Sequence, residues 1–179
     1  MYAIKIVACL VVFHISFFCE AQIDTLQRKM FRDILFMSGT WDVEVDSRVS
    51  MNGPWQKSKG VAVFQVSLDS ALLEEYFDGV REGKHFLSKT FFAVNNLNHR
   101  HQRIFIDAPH GVMLDFEGRM EGDNLIYDRS FTNAAGKLVR MRVVYQKQGT
   151  NQFKLETMRM PQGSNEWDVN GRMVYTRKQ

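Results

Sequence analysis

Between Thr40 and Arg177 apolar and polar residues alternate in short runs, and Gly, Asn or Asp punctuates them at intervals of roughly ten to fifteen residues. The runs cover 40–49, 57–66, 72–80, 84–94, 101–106, 112–120, 124–131, 137–146, 152–160 and 167–177. A period of two sends successive side chains to opposite faces, so each run reads as a strand with one face turned to a core. The connections carry turn residues, as in Met51-Asn52-Gly53-Pro54, Asp107-Ala108-Pro109-His110-Gly111 and Gln148-Gly149-Thr150-Asn151. All are short enough for hairpins, whereas a parallel neighbour needs a crossover of about a dozen residues or more. The pattern predicts an all-β antiparallel meander of about ten strands. Closing it on itself removes the edges that invite aggregation, so an up-and-down barrel is expected.

One segment follows another period. From Asp24 to Phe36 the apolar residues Leu26, Met30, Phe31, Ile34 and Leu35 recur at helical spacing. Asp24 and Gln27 form a plausible capping box at its start. This single N-terminal helix must bury its apolar stripe, and one end of the barrel is the natural place.

The first 21 residues change the picture of where the protein works. Lys5 precedes an apolar run from Ile6 to Phe18, and Cys19-Glu20-Ala21 places small residues at both cleavage-pocket positions. Residues 1–21 therefore read as a secretory signal peptide, and 22–179 as one domain in the periplasm or outside the cell. The apolar run is shorter than the roughly 20 residues of a membrane span, and no second one follows, so no integral membrane segment is expected after cleavage. Both cysteines, Cys9 and Cys19, lie in the removed segment, which leaves the mature chain no disulfide and no thiolate. Lipidation at Cys19 is less favoured, because Phe17-Phe18 sit where a lipoprotein peptidase wants small residues. The net charge is +3, but the basic residues alternate with acidic ones and form no stripe, which argues against a nucleic-acid partner.

Phe36-Met37-Ser38-Gly39-Thr40-Trp41 places a Gly-x-Trp at the start of the first strand, and the last strand ends Tyr175-Thr176-Arg177-Lys178. In these features the chain resembles the calycin superfamily, and within it the bacterial lipocalin-like domains of unknown function, over roughly residues 31–178. The resemblance implies that Trp41 packs across the closed end of a lipocalin-like barrel against Arg177 of the final strand. Nitrobindin-like haem barrels are also similar in layout, but their iron is held by a histidine late in the barrel. No histidine follows His110 here, so no haem or other cofactor is expected.

Arg140 and Arg142 share one strand face, and Val139, Met141 and Val143 share the other. The simpler reading leaves both arginines solvated. If they point inward, resemblance to the anion clamp of fatty-acid-binding barrels makes Arg142, Tyr145 and Tyr175 the ligand-binding set, with Glu156 offsetting the buried charge. Arg172 and Tyr175 fall on opposite faces, a departure from that family's Arg-x-Tyr.

His99, His101 and His110 form the one histidine cluster, but nothing in their spacing enforces convergence on a metal, and an exposed basic loop is preferred. No nucleophile elbow or phosphate loop is present, and no catalytic residues are assigned. Of Glu74-Glu75 one must face in, where it could act as a lone general base. Met and Phe crowd the late strands and either line a pocket or fill the lumen. The expectation is a non-enzymatic protein, monomeric or weakly dimeric, that holds a small hydrophobic or amphipathic molecule. The alternatives are an isomerase-like or hydrolase-like enzyme acting on such a molecule, and a filled barrel that binds other proteins.

Overall fold

The structure, a computed structural model, describes residues 25–68, 71–81 and 83–179. The expected signal peptide and the capping residue Asp24 lie outside the described residues.

Helix α1 covers 25–34 and tightens into a 3₁₀ turn at Leu35–Met37. Ten strands follow: β1 (Gly39–Ser47), β2 (Gln56–Ser67), β3 (Leu72–Arg81), β4 (Lys84–Asn95), β5 (Arg100–Asp107), β6 (Val112–Glu121), β7 (Asn124–Thr132), β8 (Leu138–Lys147), β9 (Gln152–Met160) and β10 (Asp168–Arg177). Every strand pairs antiparallel with its neighbours in sequence, and β1 pairs with β10 from Trp41↔Arg177 to Ser47↔Gly171, so the sheet closes. The period of two is visible in the burial: on β3 Leu73, Glu75 and Phe77 are buried while Tyr76 and Asp78 are exposed. β10 begins at Asp168, one residue later than the pattern predicts, and its register with β9 shifts between Val169 and Gly171. The displaced Trp167 lies under the Arg142 guanidinium, 4.5 Å from its ring centre.

α1 closes one end. Phe31, Ile34 and Met37 are buried, and Met30, Leu35 and Phe36 pack against the core. Leu26, part of the expected stripe, is exposed instead, at the start of the helix. Trp41 is 1% exposed and donates its indole N–H to the Met37 carbonyl at 2.7 Å. The Arg177 guanidinium lies 4.2 Å from the centre of the indole and donates to the Ser38 carbonyl at 2.9 Å. Trp41 and Arg177 therefore seal the helix end. The intervening Gly39 has φ +125°, and a side chain there would overlap the guanidinium, so only glycine fits.

One stretch of wall is different. The β6–β7 ladder runs only from Glu117↔Asp128 to Glu121↔Asn124 and is the shortest in the barrel among the described residues. Beyond it Arg129 reaches across to donate to both the backbone carbonyl and the carboxylate of Asp115.

Candidate functional site

The lumen is filled at one end and open at the other. Above Trp41 the rings of Phe64, Phe92, Tyr145, Phe153 and Tyr175 interlock: Phe153 stacks on Tyr175 at 4.2 Å, and Trp41 meets Phe153 edge-on at 4.7 Å. Such contacts add about 0.5–1.5 kcal/mol per pair beyond area burial. On the far side of this plug a cavity of about 650 Å³ runs to the hairpin end, where Arg81, His110, Asn133 and Arg159 ring its mouth. Phe77, Phe86, Phe116, Val143, Leu155 and Met173 form much of its wall. Large side chains packed at the helix end thus fix the floor.

The floor is polar. Glu75 of β3 accepts a hydrogen bond from the Tyr175 hydroxyl at 3.1 Å, and Arg103 of β5 donates from Nε to the Tyr145 hydroxyl at 3.2 Å. The guanidinium also lies 5.1 Å from the centre of Phe105 and 5.0 Å from that of Phe116. Desolvation raises the Glu75 carboxyl above its ordinary value, with Thr90, Arg103 and Tyr175 pulling the other way. Burial likewise pushes the phenols of Tyr127, Tyr145 and Tyr175 up.

The expected ligand set divides by strand parity. Tyr145 and Tyr175 point inward and stand at the floor, while Arg142 and Glu156 lie on the outer face. Arg142 grips Asp128 through two hydrogen bonds of 2.7 and 3.1 Å, and Glu156 pairs with Arg172 at 3.4 Å. The inward-arginine clamp is therefore corrected: β8 turns Val139, Met141 and Val143 to the cavity and its arginines to solvent. Burial pushes the Asp128 carboxyl up, but hydrogen bonds from Arg142 and Arg119 outweigh it and hold the group below its ordinary value. Arg142→Ala is expected to change unfolding free energy by no more than about 1 kcal/mol, the usual worth of a half-exposed pair, and to leave binding of an apolar dye unchanged. Urea titration and dye fluorescence check it.

Glu74 and Glu75 split as alternation requires. Glu74 faces out, bonded to Lys89 at 2.7 Å and Ser67 at 2.6 Å, which hold it below its ordinary value. The three histidines do not converge. His101 is buried inside the barrel with Nδ1 unpartnered among the described residues, and burial lowers its pKa. His99 sits in the β4–β5 turn, and His110 pairs with Asp107 at 2.9 Å beside the mouth. Among the described residues no group of three or more His, Cys, Asp or Glu is arranged to hold a metal.

Arg103 is the floor residue that pattern reading passes over. Its run, His101 to Ile106, has Ile104 and Ile106 on one face and Arg103 and Phe105 on the other, and the aliphatic face looks like the inner one. The structure turns Ile104 outward.

Fold and site together define a closed antiparallel barrel whose lumen is half plug and half pocket. The chain belongs to the family described as "Protein of unknown function (DUF1579)", whose profile matches residues 28–177. No curated protein matches the chain. Among solved structures it is similar to a protein described as EF1p2_mFAP2b bound to DFHBI, at 14% identity and TM-score 0.45, over 83% of this chain and 99% of that one. It is also similar to the redesigned β-barrel mFAP0 bound to DFHBI, at 12% identity and TM-score 0.45, over 79% and 99% of the two chains.

Proposed function

We propose that this chain is an exported binding protein, without chemistry of its own, that holds a small hydrophobic or amphipathic molecule in its barrel. The cavity of about 650 Å³ carries the reading. Its volume falls within the roughly 300–1,000 Å³ of small-molecule sites, and its apolar wall above a few convergent polar groups is how such sites are built. Tyr175 contacts the ligand from the floor, Tyr145 supports that floor from beneath through Arg103, and Arg142 and Glu156 have no part in it. Export rests on the pattern of residues 1–21. Among the described residues no helix is long and apolar enough to cross a membrane. A closed sheet offers no free edge for pairing, which supports a monomer or weak dimer.

Native mass spectrometry of protein purified from its own host should show a copurifying lipid-like species. An empty protein that also fails to bind Nile red saturably would sink the proposal.

One observation favours a second reading, an isomerase-like or hydrolase-like enzyme: Glu75 is a buried carboxylate with a raised pKa facing the cavity, the environment of a general base. Chemical change of the copurified species on incubation, lost in Glu75→Gln, would select it. A protein-interaction barrel needs a filled lumen, and half of this one is open.

A further inference from the structure

The floor carries more charge than a neutral apolar ligand needs. Arg103 is 6% exposed and sits at the base of the cavity. Among the described residues its one hydrogen bond goes from Nε to the neutral Tyr145 hydroxyl, so the terminal amino groups have no partner there. A buried guanidinium in that position lacks the oxygen acceptors that ordinarily offset its desolvation. The floor hydroxyls are engaged with these two groups: Tyr175 donates to Glu75, and the Tyr145 hydroxyl accepts from Arg103.

We propose that the floor is a head-group site for a carboxylate, in which Arg103, held at Nε by the Tyr145 hydroxyl beneath it, grips the acid end of a single-chain amphipathic monoacid whose tail fills the apolar shaft above. This deepens the binding reading and rests on it. A planar carboxylate matches the edge formed by the two terminal amino groups of a guanidinium, and a charge-assisted pair of that kind is roughly twice as strong as a neutral hydrogen bond. The shaft wall of Phe77, Phe116, Val143, Leu155 and Met173 suits an alkyl or aryl tail and offers it no charged partner along the way.

Charge balance narrows the head to a monoanion. Glu75 faces Arg103 from β5, Tyr145 from β8 and Tyr175 from β10, with Thr90 across from it on β4 and Phe64 on β2. Tyr127 of β7 packs edge-on against Tyr145, outside the cavity lining, and Val45, Phe116 and Leu155 add no charge from β1, β6 and β9. The mouth groups are Arg81 and Arg159, with Asp107 paired to His110. Among the described residues Arg103 is thus the single cation of the floor. A ligand carboxylate and Glu75 together bring two negative charges unless one proton is shared between them, and like charges in one site favour that sharing. Burial already favours the protonated form of Glu75. A dianionic head such as a phosphate monoester would leave charge unbalanced.

Calorimetric titration of the mature protein with dodecanoate, 1-dodecanol and dodecylamine tests the proposal. Dodecanoate should bind at least about tenfold tighter than the alcohol and the amine, as one charge-assisted pair implies. Arg103→Met should erase that preference while 1-dodecanol and Nile red still bind, and circular dichroism checks that the barrel has formed. Should that variant not fold, Arg103→Lys keeps the cation and should retain part of the preference. Dodecanoate affinity should fall as pH rises and Glu75, whose carboxyl burial holds above its ordinary value, loses its proton, and Glu75→Gln should flatten the fall. Equal affinity for acid and alcohol in the wild type, or an acid preference that survives Arg103→Met, overturns the head-group site while leaving the binding reading intact. If acid, alcohol and Nile red all fail to bind, the broader reading falls and takes this one with it.

Discussion

Trp41→Ala is expected to lower the unfolding free energy by about 3–5 kcal/mol, the range for deleting a fully buried aromatic side chain. The urea midpoint should drop at unchanged slope. Three losses add up. The indole is 1% exposed and fills the space between α1 and the aromatic plug, so truncation leaves a void against Phe153. The Met37 carbonyl loses the N–H that satisfies it at 2.7 Å. Arg177 loses the ring face beneath it and keeps only its backbone acceptors, the Ser38, Phe36 and Thr150 carbonyls. Trp41→Phe restores a ring but not the N–H and should recover only part of the loss. A drop of under about 1 kcal/mol for the alanine variant would mean that the helix end is not sealed as described.

Glu75→Gln is expected to stabilise the protein at pH 8 by roughly 1–3 kcal/mol, the scale of burying an imperfectly paired polar group, and to leave it nearly unchanged at pH 4. The direction follows from proton linkage. Desolvation raises the folded-state pKa, and Thr90, the field of Arg103 and the hydrogen bond from Tyr175 offset only part of that. At a pH below the ordinary carboxylate range both folded and unfolded chains hold the proton, and the group contributes no pH dependence. As pH rises past the unfolded value the unfolded chain ionises first, so the folded state binds more protons and stability declines until the raised folded value is passed. Gln keeps an acceptor for Tyr175 and cannot ionise, so that decline should vanish. Urea titrations of both proteins between pH 4 and pH 8 check it, and a wild-type stability that rises over this window beyond that of the variant would reverse the assignment.

Much of the fold is legible in the sequence because a barrel wall obeys a simple rule. Alternation places the strands to within a residue or two, and β9 spans Gln152–Met160 as read. The helix is legible for a similar reason, since Phe31 and Ile34 fall on its buried stripe. The site is less legible, because parity within a strand is clear but its sign is not. On β8 the apolar set is unambiguous, so Arg142 and Tyr145 could never have shared the lumen. On β5 both faces carry large apolar residues, and the choice between Ile104 and Phe105 is decided by rings on other strands: Arg103 lies between Phe105 and the Phe116 ring of β6. Glu156 sits one residue from Leu155 and is excluded by the same parity. The depth of the plug is not legible either, since it depends on which rings from five different strands reach the axis.

A hoop yields at its weakest rivet. Between Val112–Phe116 and Arg129–Thr132 tension is carried across the wall by a single side-chain bracket, Arg129 on Asp115, where elsewhere a row of amide bonds does the work. Asp115 is 82% exposed, so water competes for that bracket and releasing it costs little. Leu114, Phe116 and Phe131 back this stretch from inside, so a guest broader than the resting lumen would be accommodated by bulging here first, with the sealed base left undisturbed.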